Sequence, residues 1–234
     1  MTIILFLLAC DPMITEVQMT GTVLDAPANA GNAVGDATVT ALNGAGEPFG
    51  VATTDADGAF SVTVPAGAPF FVGVEKDGYV PTAFSGTSGV SDFDAGAGYP
   101  WLSTEDWATE ERARWEACAN YTAEGGFVSG QALAVVPGVD DFTSWPPLPD
   151  AELLAYVSGD LALDACYLDD EGVVLAAGES TGKTGEYAIF GVPAGQVVIE
   201  LTVARSNGEA GTDLYQFVAF EDGLIPVFPT PVEL

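Results

Sequence analysis

Apolar and polar residues alternate with a period of two in short runs along much of the chain. Phe60, Val62 and Val64 are separated by Ser61 and Thr63, and such alternation predicts a strand with one buried face. Further β-branched and aromatic runs occupy residues 70–74, 187–190, 197–203, 217–220 and 224–228. Gly, Pro and Asp separate these runs, and short strands with closely spaced turns predict a β-sandwich rather than alternating strands and helices.

The chain contains an internal repeat. Residues 54–67 (TDADGAFSVTVPAG) match residues 181–195 (TGKTGEYAIFGVPAG) at Thr, Gly and the aromatic position, and both segments end in Val-Pro-Ala-Gly. Two further pairs of segments precede them in the same order, 36–41 with 150–155 and 20–24 with 129–133. Four matched blocks in one order indicate a duplication of a single folding unit.

The first copy resembles the carboxypeptidase regulatory-like domain in its turn and strand signatures. These are Gly21-Thr-Val, Ala37-Thr-Val, residues 54–60 (TDADGAF), residues 64–67 (VPAG) and residues 76–81 (KDGYVP). The resemblance covers residues 15–84 well and residues 126–232 more weakly, because the second copy lacks the Gly-Tyr-x-Pro element. It implies a transthyretin-like sandwich that serves as a non-catalytic accessory or binding module.

We therefore expect a mainly β protein of two transthyretin-like antiparallel β-sandwich domains, joined by a connector containing one short helix. The predicted ranges are 1–10 for a lipoprotein signal, 11–85 for the first sandwich, 86–125 for a loop and helix connector, and 126–234 for the second sandwich. Residues 103–106 (STED) fit a helix start with acids in the first turn, and Arg112 and Arg114 suit its end. Glu110 and Arg114 have the spacing of a favourable pair on a helix. The Gly- and Ser-rich residues 86–98 predict a flexible loop.

The amino terminus resembles a bacterial lipoprotein signal. Residues 3–8 (IILFLL) are wholly apolar, too short to span a bilayer as a helix, and lead into Leu7-Leu8-Ala9-Cys10. In that family the cysteine, here Cys10, carries the lipid. Only nine residues precede Cys10 and none is Lys or Arg, so either upstream residues are missing or the segment is an apolar first strand with a buried cysteine.

Charge and composition narrow the classes of function. The chain has 34 acidic and 5 basic residues among 234, a net charge of −29, and no histidine. Nucleic acid is disfavoured as a partner because its phosphates attract Lys and Arg. Without histidine there can be no Ser-His-Asp or Cys-His nucleophile and no His-containing zinc site. We predict no catalytic residues, no cofactor and no metal site.

The two cysteines that remain after Cys10 form an even pair, as expected in an oxidising compartment. Cys118 and Cys166 could form a disulfide that closes a loop worth about 4 kcal/mol in the chain-entropy model. Two buried free thiols are the alternative.

Two short motifs suggest ligand binding but fit turns better. Residues 177–184 (AGESTGKT) satisfy a permissive phosphate-loop pattern, but the following residues 185–193 contain two glycines and a proline, which do not suit the helix that such a loop requires. The repeat instead places Lys183 at a hairpin tip, so we predict that the chain binds no nucleotide.

Residues 55–58 (DADG) resemble part of a calcium loop, for which a hairpin turn is the alternative. Weak Ca²⁺ binding stays open.

The chain has four tryptophans, which surround the predicted helix or lie in loops: Trp101, Trp107, Trp115 and Trp145. Aromatic residues of this kind either seal a helix against the core or form a sugar-stacking platform. Trp107 and Trp115 are the candidate glycan contacts.

The amino terminus, the repeat and the composition together predict a non-enzymatic, lipid-anchored protein of the bacterial cell envelope. It would face the periplasm or exterior and serve in display, adhesion or assembly with an envelope protein. A carbohydrate-binding protein is the alternative.

Overall fold

The computed structural model describes residues 15–25, 31–134, 136, 144–157, 161–176, 180–204, 210–220 and 223–232. These residues form seventeen strands and one helix, in the order β1 (Glu16–Asp25), β2 (Asn32–Ala33), β3 (Thr38–Asn43), β4 (Pro48–Thr53), β5 (Ala59–Pro65), β6 (Pro69–Glu75), β7 (Tyr79–Val80), β8 (Thr82–Thr87), β9 (Phe93–Thr104), α1 (Glu105–Arg114), β10 (Gly126–Ala134), β11 (Ala151–Val157), β12 (Leu161–Asp164), β13 (Cys166–Tyr167), β14 (Glu186–Val192), β15 (Gly195–Ala204), β16 (Ala210–Ala219) and β17 (Leu224–Val232). The expected mainly β architecture with a short helix is confirmed.

The first unit, β1 to β9, is a two-layered sandwich. In one layer β1 pairs antiparallel with β5 and parallel with β9, and the other layer has the order β4-β3-β6-β8. The predicted alternation in β5 is confirmed, because Phe60, Val62 and Val64 are buried and Ser61 is exposed. Met19 of β1 and Leu102 of β9 join the same core.

The second unit, β10 to β17, repeats this arrangement. β10 pairs antiparallel with β14 and parallel with β17, and the facing layer has the order β12-β11-β15-β16. Tyr187, Ile189, Leu153 and Val197 form part of its core. The short strand β13 extends the first layer beyond β14.

The repeat is conserved at the level of individual hydrogen bonds. The buried Thr54 hydroxyl accepts a bond from the N–H of Ala37 (2.9 Å) and donates one to the carbonyl of Val34 (2.7 Å). The Thr181 hydroxyl makes the two equivalent bonds in the second unit, at 3.1 and 2.8 Å. The register of the duplication predicted from the sequence is therefore confirmed.

The same turns recur with the same backbone conformations. Asp36 and Asp150 have φ angles of 56° and 59°, and they are the two non-glycine residues with positive φ in the described part of the chain. Asp tolerates this left-handed region better than most residues. Gly58 and Gly185, which close the repeated turns, have φ angles of 74° and 68°. Turn residues thus account for much of the sequence similarity between the units.

The segment predicted as a flexible loop, residues 86–98, is largely a strand. β9 begins at Phe93 and pairs in parallel with β1, and the Phe93 ring lies 6.1 Å from that of Phe70. The pairing register shifts beside Gly96, whose φ is 87°. Glycine accommodates such a bulge within a continuous strand, so the glycines here shape a strand instead of preventing one.

The two units share one sheet through a short contact. β17 meets β8 in parallel at Leu224 and Thr82, and the Leu224 N–H donates to the carbonyl of Pro81 at 2.8 Å. The joined sheet has eight strands in the order β13-β14-β10-β17-β8-β6-β3-β4.

Apolar packing supports this junction from one face of the sheet. Val218, next to the end of β16, clusters with Leu42 and Phe71 of the first unit. The ring of Phe220 covers Gly73 so closely that a methyl group at Gly73 would lie 2.1 Å from Cζ of that ring. The glycine therefore makes room for an aromatic side chain from the other unit.

The single described helix, α1, is ten residues long. Across the described residues, no helix combines the length and apolarity needed to cross a membrane.

Candidate functional site

Helix α1 begins where the sequence predicts and projects from the end of β9. The Thr104 hydroxyl accepts a bond from the N–H of Trp107 (3.2 Å), which is a side-chain N-cap. Glu105 and Asp106 lie in the first turn, where their negative charges interact favourably with the positive end of the helix dipole. Because the helix follows the strand directly, Trp101 of β9 and Trp107 of α1 are brought close to the same surface.

Three kinds of contact hold α1 against the second unit. The Arg112 guanidinium lies 4.3 Å above the Phe127 ring and donates to the carbonyl of Gly125 (2.7 Å). Trp115 packs into a cluster with residues of β10, β13 and β14. Cys118, just after the helix, is joined to Cys166 of β13 in a disulfide with a Cα–Cα distance of 5.9 Å.

A groove of about 270 Å³ opens between α1 and the second unit. Its walls consist of Trp101, Trp107, Glu111, Arg114, Trp115, Ser129, Gly130, Gln131, Glu186 and Leu224. β9, α1, β10, β14 and β17 each contribute to this lining, so the groove exists only because the helix lies across the sheet. Pockets that bind small molecules are usually concave, largely apolar and equipped with a few polar groups, and this groove has that character.

A charged network lies along one wall of the groove. Nη2 of Arg114 is 2.5 Å from Oε2 of Glu186, and Nη1 is 3.6 Å from Oε1 of Glu111. The Glu111 carboxylate also accepts a bond from the indole N–H of Trp115 (3.0 Å). The guanidinium lies 5.5 Å above the Trp115 ring, so a positive charge rests against an aromatic face between two carboxylates. Arg114 pairs with these two glutamates and not with Glu110, the partner predicted from helical spacing.

The two tryptophans proposed as glycan contacts take different positions. Trp107 is half-buried and lines the groove, whereas Trp115 is only 1% exposed and belongs to the core. Trp101 lines the groove too and packs edge-on against Phe84 at 5.5 Å. The groove therefore brings three of the four tryptophans together, but it does not expose the Trp115 ring as a stacking platform.

Sequence reasoning missed the polar members of the site. Glu111 and Arg114 are three residues apart and could have been placed on one helix face. Glu186 is distant in the sequence and joins them only through the packing of α1 on β14. No local pattern signals that contact.

The phosphate-loop-like segment ends in a turn followed by a strand. Residues 177–179 lie outside the described residues, but β14 begins at Glu186, in place of the helix that phosphate binding requires. Lys183 is exposed and pairs with Asp170 at 2.8 Å. That bond lowers the pKa of the Asp170 carboxyl and raises the pKa of the Lys183 ammonium. Lys183 therefore lies in a turn, closed by the bond from the N–H of Gly185 to the carbonyl of Gly182. The hairpin tip predicted for it is wrong, because the preceding strand, β13, ends at Tyr167 and does not lead directly into this turn.

The calcium-like segment is also a turn. One oxygen of the Asp55 carboxylate accepts bonds from the N–H groups of Asp57 and Ala59, both at 2.9 Å. An aspartate that closes its own turn accounts for these residues without a metal ion. The turn joins β4 and β5, which belong to different sheets, so it is not the tip of a paired hairpin as predicted. Within the described ranges no three His, Cys, Asp or Glu side chains are grouped so as to hold a metal ion.

One buried titratable group lies in the core of the second unit. The Tyr167 hydroxyl accepts a bond from the N–H of Leu153 (2.8 Å) and donates to the carbonyl of the same residue (3.2 Å). Burial raises the pKa of Tyr167 to about 12. The hydroxyl ties β13 to the start of β11, which is a structural role.

The predicted lipidation residue, Cys10, lies outside the described residues. Lipid attachment there stays a prediction from the sequence.

Comparisons with known proteins give only distant structural likenesses. The sequence matches no protein-family model and no curated protein. Among solved structures, the TIE protein of Bacillus anthracis is 16% identical over 94% of this chain, with a TM-score of 0.32, and this chain spans 34% of its length. The minor pilin of Streptococcus agalactiae is 12% identical, with 92% and 95% of the two chains covered and a TM-score of 0.32. The major pilin of Bacillus cereus is 13% identical, with coverages of 88% and 69% and a TM-score of 0.27. Identities and TM-scores this low do not carry the roles of those proteins over to this chain.

Proposed function

We propose that this chain is a non-enzymatic protein of the bacterial cell envelope, anchored by a lipid on Cys10, whose two β-sandwich units form a rigid module for display, adhesion or envelope assembly. The observation that carries this proposal is the duplicated architecture. The polar residues that recur in both units, such as Thr54 with Thr181 and Asp36 with Asp150, brace turns and strand ends. Because the repeated polar residues stabilise the fold, the duplication favours a structural or binding module over an enzyme.

The join between the units supports a mechanical role. Leu224 and Thr82 link the two sandwiches through one sheet, and the ring of Phe220 packs against Gly73. Because the units touch through both backbone and side chains, they would move as one body. A rigid body holds any surface site at a fixed distance and direction from an anchor.

The position of Cys10 supports anchoring close to the membrane. Only residues 11–15 separate it from β1, and five or six residues span at most about 20 Å. The net charge of −29 would repel anionic lipid headgroups, so the lipid would supply the attachment and the charge would keep the sandwich off the surface. The resemblance of residues 15–84 to the carboxypeptidase regulatory-like domain is consistent with an accessory module.

Metabolic labelling with an alkyne fatty acid tests the anchor. We expect the wild-type chain, expressed in a bacterium with its lipoprotein machinery, to incorporate the label and to fractionate with membranes. Cys10→Ser should lose both properties, whereas Cys118→Ser should keep the label and serves as the matched control. An unlabelled wild-type protein would contradict the proposal.

Carbohydrate recognition remains the alternative, and the groove is the observation that favours some form of ligand binding. Trp107 and Trp101 offer half-buried aromatic surface there. A glycan array would test this alternative. Loss of binding in Trp107→Ala, with folding intact, would support it, whereas Trp115→Ala removes a core residue and so requires a stability control.

A further inference from the structure

We propose that the groove between α1 and the second unit binds a quaternary ammonium group, the head of a small organic cation such as choline. The aromatic lining is the first reason. Trp101 and Trp107 present half-buried rings to the groove, and tryptophan is the side chain that attracts a cation most strongly through its ring face. Clusters of aromatic rings are the usual way in which proteins recognise quaternary ammonium ligands.

The groove already accommodates one positive charge. The Arg114 guanidinium lies over the Trp115 ring at 5.5 Å and is paired with Glu186 and Glu111 at 2.5 and 3.6 Å. Its side chain is 41% exposed, so it reaches this position from the rim. Two carboxylates beside an aromatic face make the electrostatic potential favourable to a cation, and Arg114 neutralises one of them. A second, mobile cation would bind beside Arg114 or displace it.

The donors of the groove are already used, which disfavours a ligand that has to accept hydrogen bonds from the protein. The Trp115 indole N–H is used by Glu111, and the Gln131 amide donates to the carbonyl of Thr184 at 2.6 Å. A sugar needs several hydrogen bonds to its hydroxyls, and these groups would have to break existing bonds to supply them. A quaternary ammonium group presents only methyl groups, so it needs aromatic surface and negative potential but no hydrogen-bond partner.

Size and charge agree with this ligand class. A groove of about 270 Å³ lies just below the usual range for sites that enclose drug-sized ligands, so it suits one small head group and not an extended chain. The two carboxylates and the net charge of −29 disfavour an anion. The shared requirement is a compact, permanently charged cation.

The test compares choline with 3,3-dimethylbutan-1-ol, a neutral molecule of the same shape. We expect choline chloride to cause a saturable change in tryptophan fluorescence and a measurable heat of binding, while the neutral alcohol gives neither. Trp107→Ala should weaken choline binding about tenfold. Trp145→Ala, which removes a tryptophan that does not line the groove, should leave it unchanged.

Arg114→Gln separates this proposal from its alternatives. If Arg114 is the resident competitor, its removal frees Glu111 and Glu186, and choline should bind about three- to tenfold more tightly. A sugar that uses Arg114 as a donor would bind less tightly in the same variant. Trp107→Phe keeps an aromatic ring and should retain part of the affinity if Trp107→Ala proves unstable.

Several outcomes would overturn the proposal. Equal binding of choline and the neutral alcohol would mean that charge plays no part, and no saturable signal with either would mean that there is no site. Saccharide binding without choline binding would assign the groove to carbohydrate instead. These results would leave the lipid-labelling experiment untouched, so failure of this inference and failure of the proposed anchor can be told apart.

Discussion

At the scale of single residues, equivalent threonine hydroxyls make the same pair of hydrogen bonds in the two units. Thr54 and Thr181 each link a strand start to a preceding turn through two bonds made by a buried side chain. A buried hydroxyl without partners is costly, and a buried backbone group left unpaired is equally so. Threonine at these positions therefore satisfies a backbone donor and a backbone acceptor that would otherwise be buried alone. This explains why threonine is kept in a repeat in which many other positions have diverged.

Thr54→Val tests this account, because valine keeps the shape and removes only the hydroxyl. The N–H of Ala37 and the carbonyl of Val34 would lose their partner, and we expect a loss of about 1–3 kcal/mol in the free energy of unfolding. Urea denaturation followed by tryptophan fluorescence measures it. Thr53→Val, at an exposed position of β4, is the matched control and should change stability very little. Equal effects of the two substitutions would refute the hydrogen-bond explanation.

Tyr167 gives a prediction about pH. Its pKa is about 12 in the folded chain, compared with the usual tyrosine value of 10.0, because burial disfavours the phenolate. Below pH 10 the hydroxyl is neutral in the folded and unfolded chains, and its contribution is fully present. Between pH 10 and 12 the unfolded chain releases the proton first, so stability should fall by up to about 2–3 kcal/mol.

The measurement compares wild type with Tyr167→Phe. The urea midpoints of the two proteins should converge as the pH rises from about 9 to about 11.5, because only the wild type carries the buried phenol. Phenolate absorbance of the wild type should show a late-titrating component that Tyr167→Phe lacks. If the gap between the proteins stays constant with pH, the buried hydroxyl does not titrate as expected.

At the scale of elements, α1 lacks the apolar stripe that usually fixes a helix on a sheet. Its sequence, EDWATEERAR, buries only Ala108 completely. The helix depends instead on its Thr104 cap, on the stacking of Arg112 over Phe127 and on the disulfide that follows it. Covalent attachment therefore matters more here than in a typical amphipathic helix.

Removing the disulfide should loosen α1 before it unfolds the sandwich. The bridged cysteines are 48 residues apart, and closing a loop of that size is worth about 4 kcal/mol in the chain-entropy model. In the double variant Cys118→Ser, Cys166→Ser we expect reduced stability and faster amide hydrogen exchange in α1 than in β5. Mass spectrometry of the oxidised wild type should show the linked peptides. Free thiols on both cysteines in the native protein would contradict the prediction.

The sequence predicted elements whose signals are local. The strand β5, the turns at residues 55–58 and 182–185, and the cap at Thr104 all follow from alternation or turn chemistry within a few residues. Which strands a turn joins is not a local property, and β4 and β5 lie in different sheets instead of forming the predicted hairpin. β9 was not predicted because its glycines are typical of a loop, and it becomes a strand only through pairing with β1. The groove was not predicted because it too depends on contacts between distant segments: Glu186 reaches Arg114 only after α1 has packed across β14.

At the scale of the whole molecule, the contacts between the two similar sandwiches decide whether they move as one rigid body. The backbone join is small, because β17 and β8 meet at a single pair of residues. Side chains therefore have to supply most of the coupling. The Phe220 ring covers Gly73, and α1, which continues β9, is joined to the second unit by the Cys118–Cys166 disulfide. Neither Phe220 nor Gly73 belongs to a repeated block of the sequence, so the join was added to the duplicated fold and is not part of it.

Gly73→Ala should weaken the contact between Phe220 and β6 without disturbing the interior of either unit. The added methyl group would lie 2.1 Å from Cζ of Phe220, so the ring must leave and the junction should lose about 1–3 kcal/mol. We expect a lower unfolding midpoint and faster amide hydrogen exchange around Phe220, while α1 and the Cys118–Cys166 disulfide still connect the units. Gly86→Ala is the matched control, since its methyl group meets Phe70 of the same unit at 2.8 Å and should destabilise that unit alone. Adding Phe220→Ala removes the clash, so the double variant should be more stable than the sum of the single changes predicts. Strict additivity would mean that the ring and the glycine do not hold the units together.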